Sequence, residues 1–297
     1  MLHVPVLLEE SLDFLLNDLS GSYLDLTFGR GSHSQEILNR LSPLGKLSAV
    51  DRDLEAVSYG KDNIADKRFE IYHANYSQID ALFSEQQFNG ILLDLGTCST
   101  HLDNHSRGFS FQGEGPLDMR MDTSQGFSAA SFLNESTEQE ISDVIYKYGE
   151  EKASRKIAKA IVAFRNHTLI NSTSDLVKII ESVLKRIGKK HPATKTFQAI
   201  RIHVNNELEH LEIALGKLSQ LLNKKGVIVI ISFHSLEDRI VKNFFKPDIQ
   251  SLPKDIPINN VVKESFHCIK KKIKPSAEEI KRNPRSRSAV MRVYSKL

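Results

Sequence analysis

The strongest constraint on this chain is the rhythm of its first hundred or so residues, where short apolar runs alternate with helical stretches. "SYLDLTF" reads as a strand and "SHSQEILNRL" as the helix after it. "GKLSAVDRD" is a second strand ending in acid, and "LEAVSYGKDNI" is helical. "RFEIYHANYS", "IDALFSEQ" and "FNGILLDLG" continue the series as strand, short helix and strand. Strands joined through helices pair in parallel, because each crossover returns the chain to the same end of the sheet. The expected class is therefore α/β, with a parallel sheet covered on both faces.

The rhythm then breaks. From about Asn104 to Pro116 the chain is rich in Gly, Ser and Asn and reads as a long loop. From Ser128 to about Lys190 only helices are expected. "ESTEQEISDVIYKYG" places Ile141, Val144, Ile145 and Tyr148 on one face. "EEKASRKIAKAIVAFR" has an apolar stripe of Ile157, Ile161 and Phe164, with Lys152, Arg155, Lys156 and Lys159 outside it. "TSDLVKIIESVLKRI" repeats the pattern, with Thr173 or Ser174 as its cap. The sheet is expected to resume after one long helix, "TFQAIRIHVNNELEHLEIALGKLSQLL". "KKGVIVIISFHS" is the most apolar strand, hence central. "SLEDRIVKNFF" starts a helix, with Ser235 as N-cap and Asp238 three residues on. "ESFHCIKKKI" and "SAVMRVYSK" close the sheet as an antiparallel pair joined by a long polar loop. The expected division is a sheet domain from 1–105 and 206–297, interrupted by a helical domain at 106–205.

Composition excludes several classes. No run of 18 apolar residues exists, so no membrane span is expected. The opening "MLHVPVLLEESLDFL" lacks a basic segment, and Glu9 and Glu10 interrupt it, so it does not read as a signal peptide. Cys98 and Cys268 make neither a disulfide framework nor a zinc cluster. No His, Asp and Glu cluster carries convincing metal-ligand spacing, so no metal is expected. The reading is a reducing, cytoplasmic protein, with room left for a homodimer. Net charge is +3 but uneven: Lys263 to Leu297 holds 11 Lys and Arg against 3 Asp and Glu. Such a tail suits a phosphate backbone, although a solvated Lys-rich surface has the same composition.

The loop after the first strand, "TFGRGSHS", carries the first chemistry. A glycine turn at a helix N-terminus points backbone N–H groups at an anion. Gly29 and Gly31 supply the turn and the close approach. A dinucleotide fingerprint needs a third glycine where Ser34 stands, and no Gly-Lys-Ser/Thr follows for a triphosphate loop. Asp51 lies 20 residues after Gly31 at the end of the second strand, where a carboxylate accepts ribose hydroxyls. The loop thus favours S-adenosylmethionine, whose methionine amine is a ligand for Asp25.

Further strings are more specific. "GILLDLGTCSTHLD" contains Asp94 at the end of the fourth strand. "RGFSF" begins at Arg107, "GPLDMRMD" at Gly115 and "HPATKTFQAIRIHVNNEL" at His191. "ISFHSLEDRIVK" begins at Ile231 and "NPRSRSAVMRV" at Asn283. From His3 to near the C-terminus, and in this order, the sequence closely resembles the RsmH (MraW) family of bacterial 16S rRNA methyltransferases. The resemblance implies a Rossmann-like S-adenosylmethionine-dependent methyltransferase fold with an inserted helical domain for substrate recognition. It implies methyl transfer to N4 of a cytosine in the decoding region of 16S rRNA, with the small ribosomal subunit as partner. Family cofactor contacts fall on Gly31, Ser32, His33, Asp51, Tyr76, Asp94 and His101, beside the turn glycine Gly29. Three positions depart from the family pattern. Ser32 replaces the second glycine of "GRGGHS", which a backbone contact survives if φ is negative. Tyr76 stands where Phe is common, and His101 where Gln is usual.

Cytosine N4 is a weak nucleophile because its lone pair is delocalised into the ring. An acceptor bonded to the amine draws the lone pair back, and proton loss can follow transfer. Asp94 and Asp118 are the catalytic candidates; for Asp94 a cofactor contact is the favoured role and polarisation of the amine the lesser one, and for Asp118 a salt bridge to Arg120 or Arg107 is the equal alternative. Phe109 and Phe111 are candidates for stacking on an extruded base, or for packing the loop. Lys195, Arg201, Arg239, Arg285 and Arg287 are phosphate candidates. His234 and Ser235 read equally as substrate-side or loop-bracing residues. His191 and His203 read as structural, and Cys98 as a small loop residue. An oxidoreductase lacks its third glycine here, and "DLGT" is not the Pro-Pro-aromatic string of DNA amino-methyltransferases. A non-catalytic RNA-binding assembly factor that kept the fold is the remaining rival.

Overall fold

The computed structural model describes residues 5–185, 191–246 and 266–297. Seven strands form one sheet: β1 (Ser22–Asp25), β2 (Lys46–Asp51), β3 (Phe69–His73), β4 (Phe88–Asp94), β5 (Leu222–Ser232), β6 (Phe266–Ile273) and β7 (Val290–Lys296). Their spatial order is β3-β2-β1-β4-β5-β7-β6. Neighbours from β3 to β5 run parallel, and β7 is antiparallel to both β5 and β6. The helices are α1 (Leu8–Leu15), α2 (Ser32–Arg40), α3 (Leu54–Asn63), α4 (Ile79–Leu82), α5 (Ser99–Asp103), α6 (Ala129–Glu135) and α7 (Glu138–Gly149). They continue as α8 (Ser154–Arg165), α9 (Thr173–Val183), α10 (Thr194–Val204), α11 (Glu207–Leu221), α12 (Ser235–Phe244) and α13 (Ala277–Arg282). The chain divides into two compact units, one of residues 1–96 and 208–297 and one of residues 97–207. Sequence periodicity had placed those divisions at 105 and 205.

In the first unit the sheet is buried on both faces. Ile228 and Ile230 of β5 join one core with Leu24, Ile91, Leu215 and Leu218. Val227, Val229 and Ile231 join another with Leu12, Leu15, Ile37 and Met291. The period-2 alternation of a strand explains this split, and the double burial explains why the segment reads as an unbroken apolar run. The terminal antiparallel pair is present as β6 and β7. Its connection is not plain loop: α13 and a 3-10 turn at Pro284–Ser288 occupy it, with Ser276 and Asn283 as caps. Residues 263–265, which begin the basic run and the expected penultimate strand, lie outside the described residues. So do 186–190, the end of the expected helical stretch.

The second unit is helical. Its core joins Ile141 and Ile145 of α7, Ile157 and Ile161 of α8, Ile180 of α9 and Ile200 of α10. Thr137 and Glu140 form a capping box at α7. The cap of α9 is Ser172, one residue before the expected Thr173 or Ser174. Ser172 is extended and pairs reciprocally with Asp175, which satisfies orphan N–H groups at the helix start.

The expected single long helix is two. α10 ends at Val204 and α11 begins at Glu207, with Asn206 left-handed at φ 49°. The break is fixed by Asn205, whose Oδ1 accepts the Met121 N–H at 2.8 Å and whose Nδ2 donates to the Met119 carbonyl at 2.7 Å. The expected loop around residues 104–116 is likewise tied down. α5 precedes it, it contains a 3-10 turn at His105–Arg107, and the buried Arg107 guanidinium donates to the carbonyls of Arg120 and Met121.

Candidate active site

The strand order reverses at β1, which pairs with β2 on one side and β4 on the other. Ligand crevices form outside the carboxyl ends of strands at such a switch point. Asp25, Asp51 and Asp94 are the last residues of these three neighbouring strands.

The glycine turn follows β1. Leu26 N–H still bonds Leu92 O at 3.0 Å and Phe28 N–H bonds Val50 O at 3.2 Å, so the chain leaves the sheet only at Gly29. Gly29 and Gly31 both have positive φ, 56° and 71°. Gly31 is held there twice over, because a Cβ would lie 2.6 Å from the Phe28 ring. Gly29 N–H donates to Asp51 Oδ2 at 2.7 Å, and Asp53 N–H donates to Asp51 Oδ1 at 2.8 Å. The turn is thereby latched to β2, while a carboxylate retains acceptor capacity beyond these two bonds. Ser32 opens α2 in ordinary helical conformation and is not among the positive-φ residues, so the missing second glycine costs the backbone nothing.

Asp25 is buried; its Oδ2 accepts the Ser34 hydroxyl at 2.7 Å and its Oδ1 the Thr27 N–H at 3.1 Å. Burial pushes its carboxyl up to about 6, with the Asp51 charge adding to the rise and the Ser34 and Thr27 bonds opposing it. Asp94 is anchored through its N–H to Thr27 Oγ1 at 2.6 Å. One of its oxygens, Oδ2, lies 3.7 Å from His33 Nδ1. The other, Oδ1, is buried and accepts no hydrogen bond from the described residues. Burial first, then the charges of Asp25 and Glu237, hold its carboxyl well above the usual range. No Lys or Arg pairs with Asp25 or Asp94 among the described residues. His33 is buried with Nε2 3.2 Å from the Val6 carbonyl, which only accepts, so Nε2 carries the proton. Tyr76 opens a 3-10 turn after β3 and packs on the sheet core beside Tyr72 and Ala74.

At the end of β5 the expected cap shifts by one residue. His234, not Ser235, caps α12, accepting the Glu237 N–H through Nδ1 at 3.4 Å. Glu237 answers by accepting the N–H groups of Phe233 at 2.8 Å and His234 at 3.3 Å. His234 therefore braces this turn. Asp238, freed from capping, grips Arg292 of β7 at 2.8 and 2.9 Å. The buried Glu237 was missed as a site acid; its signal was a Glu three residues after a histidine that also caps.

Most of the remaining candidates belong to the second unit. His101 of α5 is buried and stacked on Phe109, ring centres 4.8 Å apart. Phe109 is itself core, and Phe111 stacks on His191 at 4.6 Å and meets Phe197 edge-on at 5.4 Å, so the loop-packing role holds for both rings. Asp118 is saturated by Arg120, its oxygens accepting Nε at 2.9 Å and Nη2 at 2.8 Å, as well as the Arg120 N–H. Burial raises its carboxyl, but those bonds prevail and leave it below the usual range. Arg201 is committed to Glu207 at 2.8 and 2.7 Å, and Lys195 donates to the Glu150 carbonyl at 2.9 Å. His203 packs among Phe132, Phe127 and Tyr148. Arg239, Arg285 and Arg287 are exposed on the first unit.

A mostly parallel sheet with a glycine turn after β1, an acid ending β2 and two further strand-end acids lacking a Lys or Arg partner is a Rossmann-like arrangement. The class has a match: the profile of the MraW methylase family covers residues 1–297, and this chain belongs to that family. The chain is 47% identical to the ribosomal RNA small subunit methyltransferase H of Nitrosomonas europaea over 310 residues, covering 100% of this chain and 98% of that protein. It is 48% identical over 304 residues to the protein of that name from Legionella pneumophila strain Corby, covering 99% of each. The Chromohalobacter salexigens counterpart is 47% identical, with 99% of this chain and 92% of that protein covered. The chain is thus a methylase, and S-adenosylmethionine is the donor that goes with its family and fold. The residues present fit that donor: Asp94 Oδ1 is buried without a hydrogen-bond partner, Asp25 is buried at the neighbouring strand end, and the turn at Gly31 leaves no room for a side chain. No described helix is long and apolar enough to cross a membrane.

Proposed function

We propose that this chain transfers a methyl group from S-adenosylmethionine to the exocyclic N4 amine of a cytosine in the decoding region of 16S rRNA, within the small ribosomal subunit. The observation that carries the reading is Asp94: a partly buried carboxyl at a switch-point strand end, with one buried oxygen lacking a partner. The names of the full-length relatives support the RNA and the subunit. Bound S-adenosylmethionine supplies an electrophilic methyl carbon. Gly29, Gly31, Ser32 and His33 hold its methionine end, Asp51 its ribose, and Tyr76 walls its adenine; His101 completes the set assigned by family resemblance. Asp94 accepts an N–H from the target amine and concentrates the lone pair on nitrogen. A carboxyl with raised proton affinity is a strong acceptor, and it needs no prior deprotonation of the amine. Asp118, saturated by Arg120, is assigned to the architecture of its loop.

The test is transfer of labelled methyl to small subunits, naked 16S rRNA and DNA, followed by digestion to nucleosides. Label in N4-methylcytidine from a ribosomal substrate is expected. Label in another nucleoside, or in DNA alone, overturns the assignment. Donor binding without transfer to any substrate favours the assembly-factor reading.

A further inference from the structure

α8 carries a row of cations that neither the fold nor the proposed chemistry uses. Its inward face is fixed by Ser154, Ile157, Ala158 and Ile161, all buried in the helical core. Lys152, in the turn before the helix, and Arg155, Lys156 and Lys159 are exposed. Among the described residues none of the four forms an ion pair or hydrogen bond. Other exposed cations among the described residues also lack a partner, but these four stand together on one helix face, while several cations elsewhere are paired. Arg40 is paired with Glu9, Asp13 and Glu36, Lys217 with Asp80, and Arg68 with Asp66.

The arrangement works against the helix. Arg155 and Lys159 stand four residues apart on the helix, where like charges repel, and Lys152 adds a cation just before the first turn. The first turn contains no acid and two of these cations, at the end where the helix dipole is positive. Stability does not account for the pattern, whereas a polyanion laid along the face neutralises all four charges. At about 1.5 Å of rise per residue, positions 152 to 159 span roughly 10 Å, the reach of two or three successive phosphates. An anionic membrane is the poorer partner, because an interfacial helix needs its apolar face free and that of α8 is in the core.

We infer that the Lys152, Arg155, Lys156 and Lys159 face of α8 binds the phosphate backbone of the RNA substrate. This rests on the RNA reading above and assigns the helical unit a contact surface. The test compares the wild-type chain with the K152Q, R155Q, K156Q and K159Q quadruple variant for binding to a 16S rRNA fragment across a salt series. At about 0.1 M salt the variant is expected to bind at least ~10-fold more weakly, and its log K against log salt slope should flatten by about 3. Single K156Q and K159Q variants should each flatten it by just under ~1, which keeps the inference testable if the quadruple variant folds poorly. S-adenosylmethionine binding should be unchanged, and Tm equal or higher because like charges are gone. Unchanged affinity and slope overturn the inference, as does weaker binding with an unchanged slope. Tighter wild-type binding to phosphatidylserine vesicles than to RNA at equal salt also overturns it. Wild-type methyl transfer, measured on the same samples, reports the RNA reading separately from this face.

Discussion

The two units handle buried acids in opposite ways. In the helical unit the buried acids are answered: Glu207 by Arg201, and Asp122 by Ser124 and Gln125. At the strand ends of the sheet unit, Asp25 is buried and Asp94 partly buried, neither with a Lys or Arg, and Asp94 leaves one buried oxygen unbonded. Burying a carboxylate unpaired costs several kcal/mol. Acids left without a cation at one cluster of strand ends make that cluster a candidate ligand site. The helical unit shows its specialisation on the outside, as unpaired cations on α8.

Four measurements break or sharpen this contrast. Phe109→Ala should lower stability by about 3–5 kcal/mol in urea unfolding, since the ring is core. A stable variant that loses only RNA affinity would return Phe109 to a stacking role. Next, Asp94→Asn should slow methyl transfer by about 10²–10³-fold, taking the loss of one preorganised polar group as the guide. Its Tm should hold or rise, because an uncompensated buried acid is gone. A fall in Tm with an unchanged rate would mean that Asp94 is structural.

The third concerns pH. The Asp25 carboxyl sits at about 6 in the folded chain against an ordinary 3.8. The folded state therefore binds this proton more tightly than the unfolded one. Its penalty is present above pH 6, eases as pH falls through 6, and is gone below about 4. The full effect is on the order of 3 kcal/mol. Donor-free protein should thus gain stability between pH 7 and 5, and Asp25→Asn should remove that gain; an identical pH profile in the variant would clear Asp25 of any part. The smallest effect is Gly31→Ala, which forces a methyl group against Phe28 at positive φ. It should destabilise by about 2 kcal/mol and weaken donor binding. Full retention of both would show that the turn has other conformations open to it.

Much of the sheet unit was legible because its signals are local. Short apolar runs set the strands, and the acids ending β1, β2 and β4 were visible as Asp25, Asp51 and Asp94. The cap of α12 was harder, since "FHSLED" offers both His234 with Glu237 and Ser235 with Asp238. Where β5 stops, and the claim of Arg292 on Asp238, decide between them. The Asn205–Asn206 break was not legible at all. The pattern runs on as one helix, and the interruption comes from bonds to Met119 and Met121 more than 80 residues away.

The sequence by itself determined the element series, the glycine turn, the family and the type of each candidate residue, because periodicity and motif spacing act over a few positions. Only the tertiary structure decided which candidates have an open role. Asp118 and Asp94 read alike as acceptors in the sequence. Folding gives Asp118 a guanidinium two residues away, and leaves Asp94 with one buried oxygen that accepts no hydrogen bond from the described residues. A carboxyl's chemistry is set by what surrounds it, and those surroundings are assembled from strands distant in the chain.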